Sequence, residues 1–110
     1  MNRLLVIALA GALALSAQTN RGSISGTVTD QTQGVIPAAT VTVTDVGTNE
    51  IRKVSTSESG SYAVPNLEPV TYRIEVESKG FRKEVVQNVK VDTAANTTVN
   101  VTLQAGSVDT

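Results

Sequence analysis

The chain of 110 residues has no cysteine, histidine or tryptophan, and its only aromatic residues are Tyr62, Tyr72 and Phe81. Without Cys and His, a Ser-His-Asp triad, a Cys-His dyad, a zinc site of the usual Cys/His kind and any disulfide are excluded. Positive charge is not in excess either: 9 Lys+Arg face 10 Asp+Glu, a net charge of −1. Nothing in that balance can neutralise a run of phosphates, so nucleic acid is not an expected partner. The length fits one small domain.

What is present begins with an address. Met1-Asn2-Arg3 carries one positive side chain, Leu4 to Leu15 is uncharged and apolar, and Ser16 to Asn20 is small or polar. Charge, apolar stretch and small residues in that order make a secretory signal. The twelve apolar residues would reach only about 18 Å as a helix, short of the ~30 Å hydrocarbon layer, which argues against a membrane anchor. The expected signal is residues 1–17, cut between Ala17 and Gln18 or, with the smaller Ala14 three residues before the cut, between Ser16 and Ala17. No Cys stands near the junction, so a lipoprotein anchor is excluded. The chain is expected to be exported, to the periplasm, the outer membrane or the outside of the cell. Removal of Arg3 leaves 8 basic against 10 acidic groups. With no disulfide to compensate for small size, one modest core and backbone pairing must supply the stability.

Val and Thr account for 17 and 15 residues, and their branched Cβ favours extended backbone. The period is two. Ile24, Gly26 and Val28 alternate with Ser25, Thr27 and Thr29; Ala39, Val41 and Val43 alternate with Thr40, Thr42 and Thr44; Tyr72, Ile74 and Val76 alternate with Arg73, Glu75 and Glu77. Further strands are expected over Ile51 to Thr56, Ser61 to Val64, Phe81 to Val91 and Asn96 to Leu103. The sixth is expected to carry a bulge, because Val85-Val86 breaks the alternation. Turns fall at Asp30 to Gly34, Asp45 to Asn49, Ser57 to Gly60 and Ser78 to Gly80, each with Gly near a polar stretch. Pro37, Pro65 and Pro69 punctuate the runs. Seven short strands at this spacing predict an all-β, antiparallel sandwich with no helix of useful length after residue 20.

Several residues together resemble a known family. Gly26-x-Val28-x-Asp30 followed by Gly34-x-Ile36-Pro37-x-Ala39-x-Val41-x-Val43 is similar to the opening of the carboxypeptidase regulatory-like domains. Thr56-x-x-x-Gly60-x-Tyr62, Leu67-x-Pro69-x-x-Tyr72 and Gly80-Phe81 resemble that family's later landmarks. The resemblance covers residues 22–104 and implies a seven-stranded Greek-key sandwich, like transthyretin, the B-type repeats of collagen adhesins and the carbohydrate-binding-like fold. Three departures stand out. The family usually has Gly where Ala38 stands, Asp where Ser57 stands, and Gly where Val70 follows Pro69. A β-branched residue resists positive φ, so the turn at Glu68 to Thr71 must take another geometry or carry strain. The resemblance also implies a setting: such domains often follow the signal peptide of TonB-dependent outer-membrane receptors, ahead of plug and barrel. Residues 105–110 resemble the linker leading into a plug.

Candidate sites are few. Asp30, Glu50, Glu58 and Glu68 fall in loops where a pair could act as acid and base, but the sequence gives no reason to bring two together. Asp30 with Gln33, or Asp45 with Asn49, could contribute to a calcium site, yet neither loop is dense in carboxylates. The adhesin likeness suggests an intramolecular isopeptide bond, but the first two strands contain no Lys. Asn96-Thr97-Thr98 and Asn100-Val101-Thr102 fit the glycosylation pattern, which matters only in a eukaryotic secretory route. Sugar binding by aromatic platforms is not favoured, since Tyr62, Tyr72 and Phe81 sit on apolar faces. Lys79, Arg82, Lys83 and Lys90 form a basic cluster diluted by Glu75, Glu77 and Glu84. The Thr-rich last strand, Asn96 to Leu103, is an expected edge able to accept another strand. No catalytic residue, cofactor or metal is expected. The expectation is an exported, non-enzymatic interaction module that binds a protein partner or an adjoining receptor domain. The alternative is a free-standing secreted carbohydrate-binding-like domain.

Overall fold

The structure, a computed structural model, describes residues 20–106. The expected signal, with its cleavage at Ala17 and Gln18, and the end of the tail, residues 107–110, lie outside the described residues. Eight strands follow in order: β1 (Gly22–Thr29), β2 (Thr40–Asp45), β3 (Ile51–Ser55), β4 (Ser61–Leu67), β5 (Thr71–Glu77), β6 (Glu84–Lys90), β7 (Asn96–Thr98) and β8 (Val101–Thr102). One sheet has the order β3-β2-β5-β6; the other has the order β4-β1-β7, with β8 also on β1. The chain crosses between sheets after β1, β3, β4 and β6, and no helix among the described residues is long and apolar enough to cross a membrane.

Alternation explains the two layers. Ile24 and Val28 from β1, Tyr62, Val64 and Leu67 from β4, and Val101 turn inward from one sheet. Val41, Val43, Tyr72, Ile74, Val76 and Val89 meet them from the other, with Val91 and Leu103 filling the ends. Each such Val, Leu or Ile side chain contributes roughly 1.5–3 kcal/mol by leaving water. Tyr62 and Tyr72 are core residues, and Phe81 is half-buried against the same cluster.

The expected single seventh strand is two short ones, and they run parallel to β1, so the sandwich is not antiparallel throughout. The cause lies across the sheet at Gly26. A Cβ there would stand 1.8 Å from the Val99 carbonyl oxygen, so only glycine lets the chain between β7 and β8 come so close. The Val99 carbonyl turns to accept from the Tyr62 hydroxyl at 2.6 Å, and the Asn100 Oδ1 replaces a ladder carbonyl by accepting from the Thr27 N–H at 3.0 Å. Regular pairing resumes at Val28 with Val101.

Two other elements differ from the sequence reading. Strand β4 runs on through Pro65 to Leu67, because Pro65-Asn66 bulges opposite Ser23 and Asn66 takes φ 58°. As β4 is an edge of its sheet, the missing proline N–H costs no ladder bond. Strand β6 starts at Glu84, not Phe81; Phe81 instead makes an isolated bridge to Ala105. The bulge expected in this strand is present at Gln87-Asn88, opposite Arg73, with Asn88 at φ 58°. Asn tolerates the left-handed region better than other non-glycine residues, which suits it to both bulges.

Candidate functional site

The loops are held by their own side chains. Asp30 Oδ1 accepts from the Thr32 N–H at 2.9 Å, the Thr32 hydroxyl at 2.7 Å and the Gly34 N–H at 2.9 Å. These bonds, the Thr32 hydroxyl first, hold its carboxyl below the usual value of 3.8. Asp45 Oδ1 likewise accepts from the Gly47 N–H at 2.8 Å and the Thr48 N–H at 3.3 Å. Both are Asx turns that satisfy loop backbone. Gln33 and Asn49, the partners considered for calcium, sit at φ 70° and 65°, each with its N–H on the carbonyl of the same Asp. Among the described residues no group of three His, Cys, Asp or Glu is placed to hold a metal ion.

Gly60, at φ +75°, donates its N–H to Ser57 and offers its carbonyl to the Val28 N–H at 2.8 Å. A Cβ at this position would meet the Val28 carbonyl at 2.8 Å and the Val35 Cβ at 2.9 Å. Thr56, buried, bolts the Pro37 turn: its hydroxyl donates to the Ile36 carbonyl at 2.7 Å and accepts from the Ala39 N–H at 2.8 Å. Ala38, where the family usually has Gly, takes φ 59°. The Pro69 turn avoids the strain that Val70 would suffer at positive φ. It closes over three residues, with the Val70 N–H on the Glu68 carbonyl at 2.8 Å. The same carbonyl accepts from the Tyr72 hydroxyl at 2.9 Å. Gly80, at φ 87°, ends the β5–β6 hairpin beside Phe81.

Of the four loop carboxylates, the structure does bring two together, against expectation. Glu50 and Glu68 line one cleft of about 150 Å³ with Asp45, Arg21, Arg52 and Tyr72. The turn after Asp45 and the end of β4 approach there because β3 and β4 are the facing edges of the two sheets, a through-space relation that local sequence does not carry. The polar groups in this cleft clasp strands. Arg52 donates to the carbonyls of Pro65 and Asn66 at 3.0 and 2.9 Å, and Arg21 Nη2 lies 3.9 Å from Glu68. Asp30 and Glu58 lie elsewhere. In the basic cluster, Lys83 Nζ sits 3.4 Å from Glu75 and 3.7 Å from Glu77, a mixed surface. Lys83 and Arg73 hold the Glu75 carboxyl below its usual 4.5.

A larger cleft, about 400 Å³, was missed in the sequence. Its floor is Thr27 and Thr29 on the outer face of β1, its wall is Asn100 and Thr102, and its rim is Asp30, Gln31 and Gln33. Residues more than seventy positions apart meet here because β8 lies parallel on β1 in the register Thr29 to Thr102. The lining is hydroxyl and amide, with the one carboxylate of Asp30 tied into its own turn. Tyr62, Tyr72 and Phe81 do not line it.

Solved structures with the same fold belong to proteins of varied kinds. The chain is similar to the Bacillus anthracis TIE protein (TM-score 0.67, 19% identity, 78% of this chain and 17% of that one). It is similar to a candidate carbohydrate binding protein from Bacteroides uniformis (TM-score 0.63, 19% identity, 76% of this chain and 41% of that one). It also resembles catechol 1,2-dioxygenase from Pseudomonas arvilla C-1 (TM-score 0.68, 12% identity, 84% of this chain and 54% of that one). In each case this chain spans less than two thirds of the other's length, and at such identities the likeness is one of fold alone. No curated protein matches the sequence. The sequence model of the carboxypeptidase regulatory-like domain matches residues 23–104, which is nearly every residue of the sandwich, and the chain therefore belongs to the carboxypeptidase regulatory-like domain family.

Proposed function

We propose that this domain is an exported, non-enzymatic interaction module serving as the N-terminal accessory domain of a TonB-dependent outer-membrane receptor, or a remnant of one. The observation that carries the non-enzymatic part is how the loop side chains are used: Asp30 and Asp45 accept backbone N–H groups, and Arg52 grips two carbonyls. Groups committed to holding turns and edges in this way are poor candidates for proton transfer. Family membership and the leader-like order of residues 1–17 support the setting. Contact with the rest of a receptor, or with a separate protein, would use a sheet edge, since β7 and β8 present an outer edge with little charge to guard it.

A second reading, a free-standing secreted carbohydrate-binding-like domain, is favoured by one observation, the hydroxyl- and amide-lined cleft over β1 and β8. One experiment separates the two. An antibody to the sandwich is used on cell fractions of the native host, and the captured polypeptide is identified by peptide mass spectrometry. Plug and barrel peptides from the outer membrane support the receptor reading. A small free protein in the medium overturns it and supports the second; a cytoplasmic pool overturns both.

A further inference from the structure

We infer that the outer face of the β4-β1-β7/β8 sheet is a binding surface for a neutral glycan, with one sugar unit seated in the cleft between the Asp30 loop and β8. This inference rests on the carbohydrate-binding part of the second reading, which holds whether the sandwich is free or joined to a receptor, and assigns its site. The two outer faces of the sandwich differ in chemistry. On the β3-β2-β5-β6 sheet, Lys53, Arg73, Glu75 and Glu77 stand on the outer side, paired across strands with Thr42, Thr44 and Thr40. On the opposite sheet the outward positions are Ser23, Ser25, Thr27 and Thr29 of β1, Ser61, Ala63 and Pro65 of β4, and Asn96, Thr98, Asn100 and Thr102. Not one of these is charged.

That composition selects the occupant. An anionic ligand would give up water on this face with no positive charge to meet it, and the one carboxylate at the rim, Asp30, has its Oδ1 committed to its own turn. A protein partner needs large apolar or aromatic anchors at the centre of its contact, and the middle of this face offers only Ala63 and Pro65, with the exposed Val35 at its margin beside Thr29. A neutral polyhydroxyl ligand matches, because hydroxyl and amide groups can each donate and accept, as sugar hydroxyls do.

The two halves of the face are not equivalent. Near β7, Asn96 Oδ1 already accepts from the Ser23 and Ser25 hydroxyls, and its Nδ2 donates to Thr98. In the cleft, by contrast, the Thr27, Thr29 and Thr102 hydroxyls and the Gln31 and Gln33 amides have no side-chain partner among the described residues. The cleft is also prepared. Asp30 Oδ1 fixes the rim, the Gln33 N–H is tied to the Asp30 carbonyl at 3.0 Å, and Asn100 is anchored through the Thr27 N–H. Its volume, about 400 Å³, falls within the ~300–1,000 Å³ of small-molecule sites. With no aromatic platform, hydrogen bonds alone must carry the affinity, and a dissociation constant on the order of 1 mM is expected.

The test is a titration of the ¹⁵N-labelled protein, signal removed, with maltohexaose, cellohexaose, mannohexaose and chitohexaose in turn, followed by NMR. At least one is expected to give saturable shifts in the amides of Thr27, Thr29, Gln31, Gln33, Asn100 and Thr102. Thr29→Val with Thr102→Val keeps shape and strand preference while removing two hydroxyls, and should raise the half-saturation concentration at least tenfold. Thr42→Val on the charged face should leave it unchanged. Saturable shifts elsewhere, or in the cleft but indifferent to the double variant, overturn the assigned site and leave the second reading standing. No shift with any of the four overturns both.

Discussion

The Tyr62 hydroxyl and the Val99 carbonyl, 2.6 Å apart, join β4 to the break between β7 and β8, and they do so directly over Gly26. Three positions far apart in sequence thus form one unit. Gly26 admits the carbonyl, Val99 supplies it, and Tyr62 satisfies it inside the sandwich. The arrangement splits the last strand and sets the register that places Thr102 beside Thr29.

Gly26→Ala should be the most damaging glycine-to-alanine change among the described residues. The atom it meets is backbone, at 1.8 Å, and cannot move aside without breaking the β1–β8 pairing. A loss of about 3 kcal/mol or more is expected in urea unfolding, with Gly80→Ala, whose Cβ would meet nothing within 4 Å, bearing only its φ penalty.

Tyr62→Phe should cost about 1–2 kcal/mol, because it leaves the Val99 carbonyl without its side-chain donor. Burial pushes the Tyr62 hydroxyl from 10.0 up to about 12. A group whose value rises on folding favours the folded state below its unfolded value and loses that contribution as pH climbs through the folded one. Stability should therefore fall between pH 10.0 and about 12, and the fall should be shallower in Tyr62→Phe. Tyrosinate absorbance followed alongside unfolding would check both.

At the acid end the sign reverses. Asp30 and Glu75 are held below 3.8 and 4.5, so their contribution is present above those values and is lost as pH falls below them. Asp30→Asn should flatten the acid limb of a stability profile measured by circular dichroism, leaving the alkaline limb as it is.

Ala38→Gly should stabilise by up to about 1 kcal/mol, since Ala38 occupies φ 59° and glycine bears no steric penalty there. Thr56→Val should do the opposite, by about 2–3 kcal/mol, as it strips both buried hydrogen bonds from the same turn. A thermal melt of the two variants, one up and one down, is the check.

These residues also mark how far the sequence could be read. The alternation of β1, β2 and β5 is visible because each strand buries one face, so Val41 and Ile74 announce themselves locally. The family departures drew attention to strain at Val70, whereas the residue held at positive φ is Ala38, and the broken alternation at Val85-Val86 announced a bulge that lies one step further on, at Gln87-Asn88. The split of the last strand was hidden, because its cause is a carbonyl meeting a glycine more than seventy residues away. The run of β4 past Pro65 was hidden too, since a proline that ends an inner strand is harmless on an edge. The large cleft had no motif at all: threonines and glutamines are ordinary surface residues until β8 is laid on β1.

The proposal that most needs testing is that the sandwich works outside the cytoplasm as an accessory domain at the outer membrane. Fractionation of native-host cells, with mass spectrometry of the chain's own N-terminal peptide, tests it most directly. The account predicts outer-membrane material whose chain begins at Gln18, or at Ala17; soluble cytoplasmic protein still beginning at Met1 would contradict it.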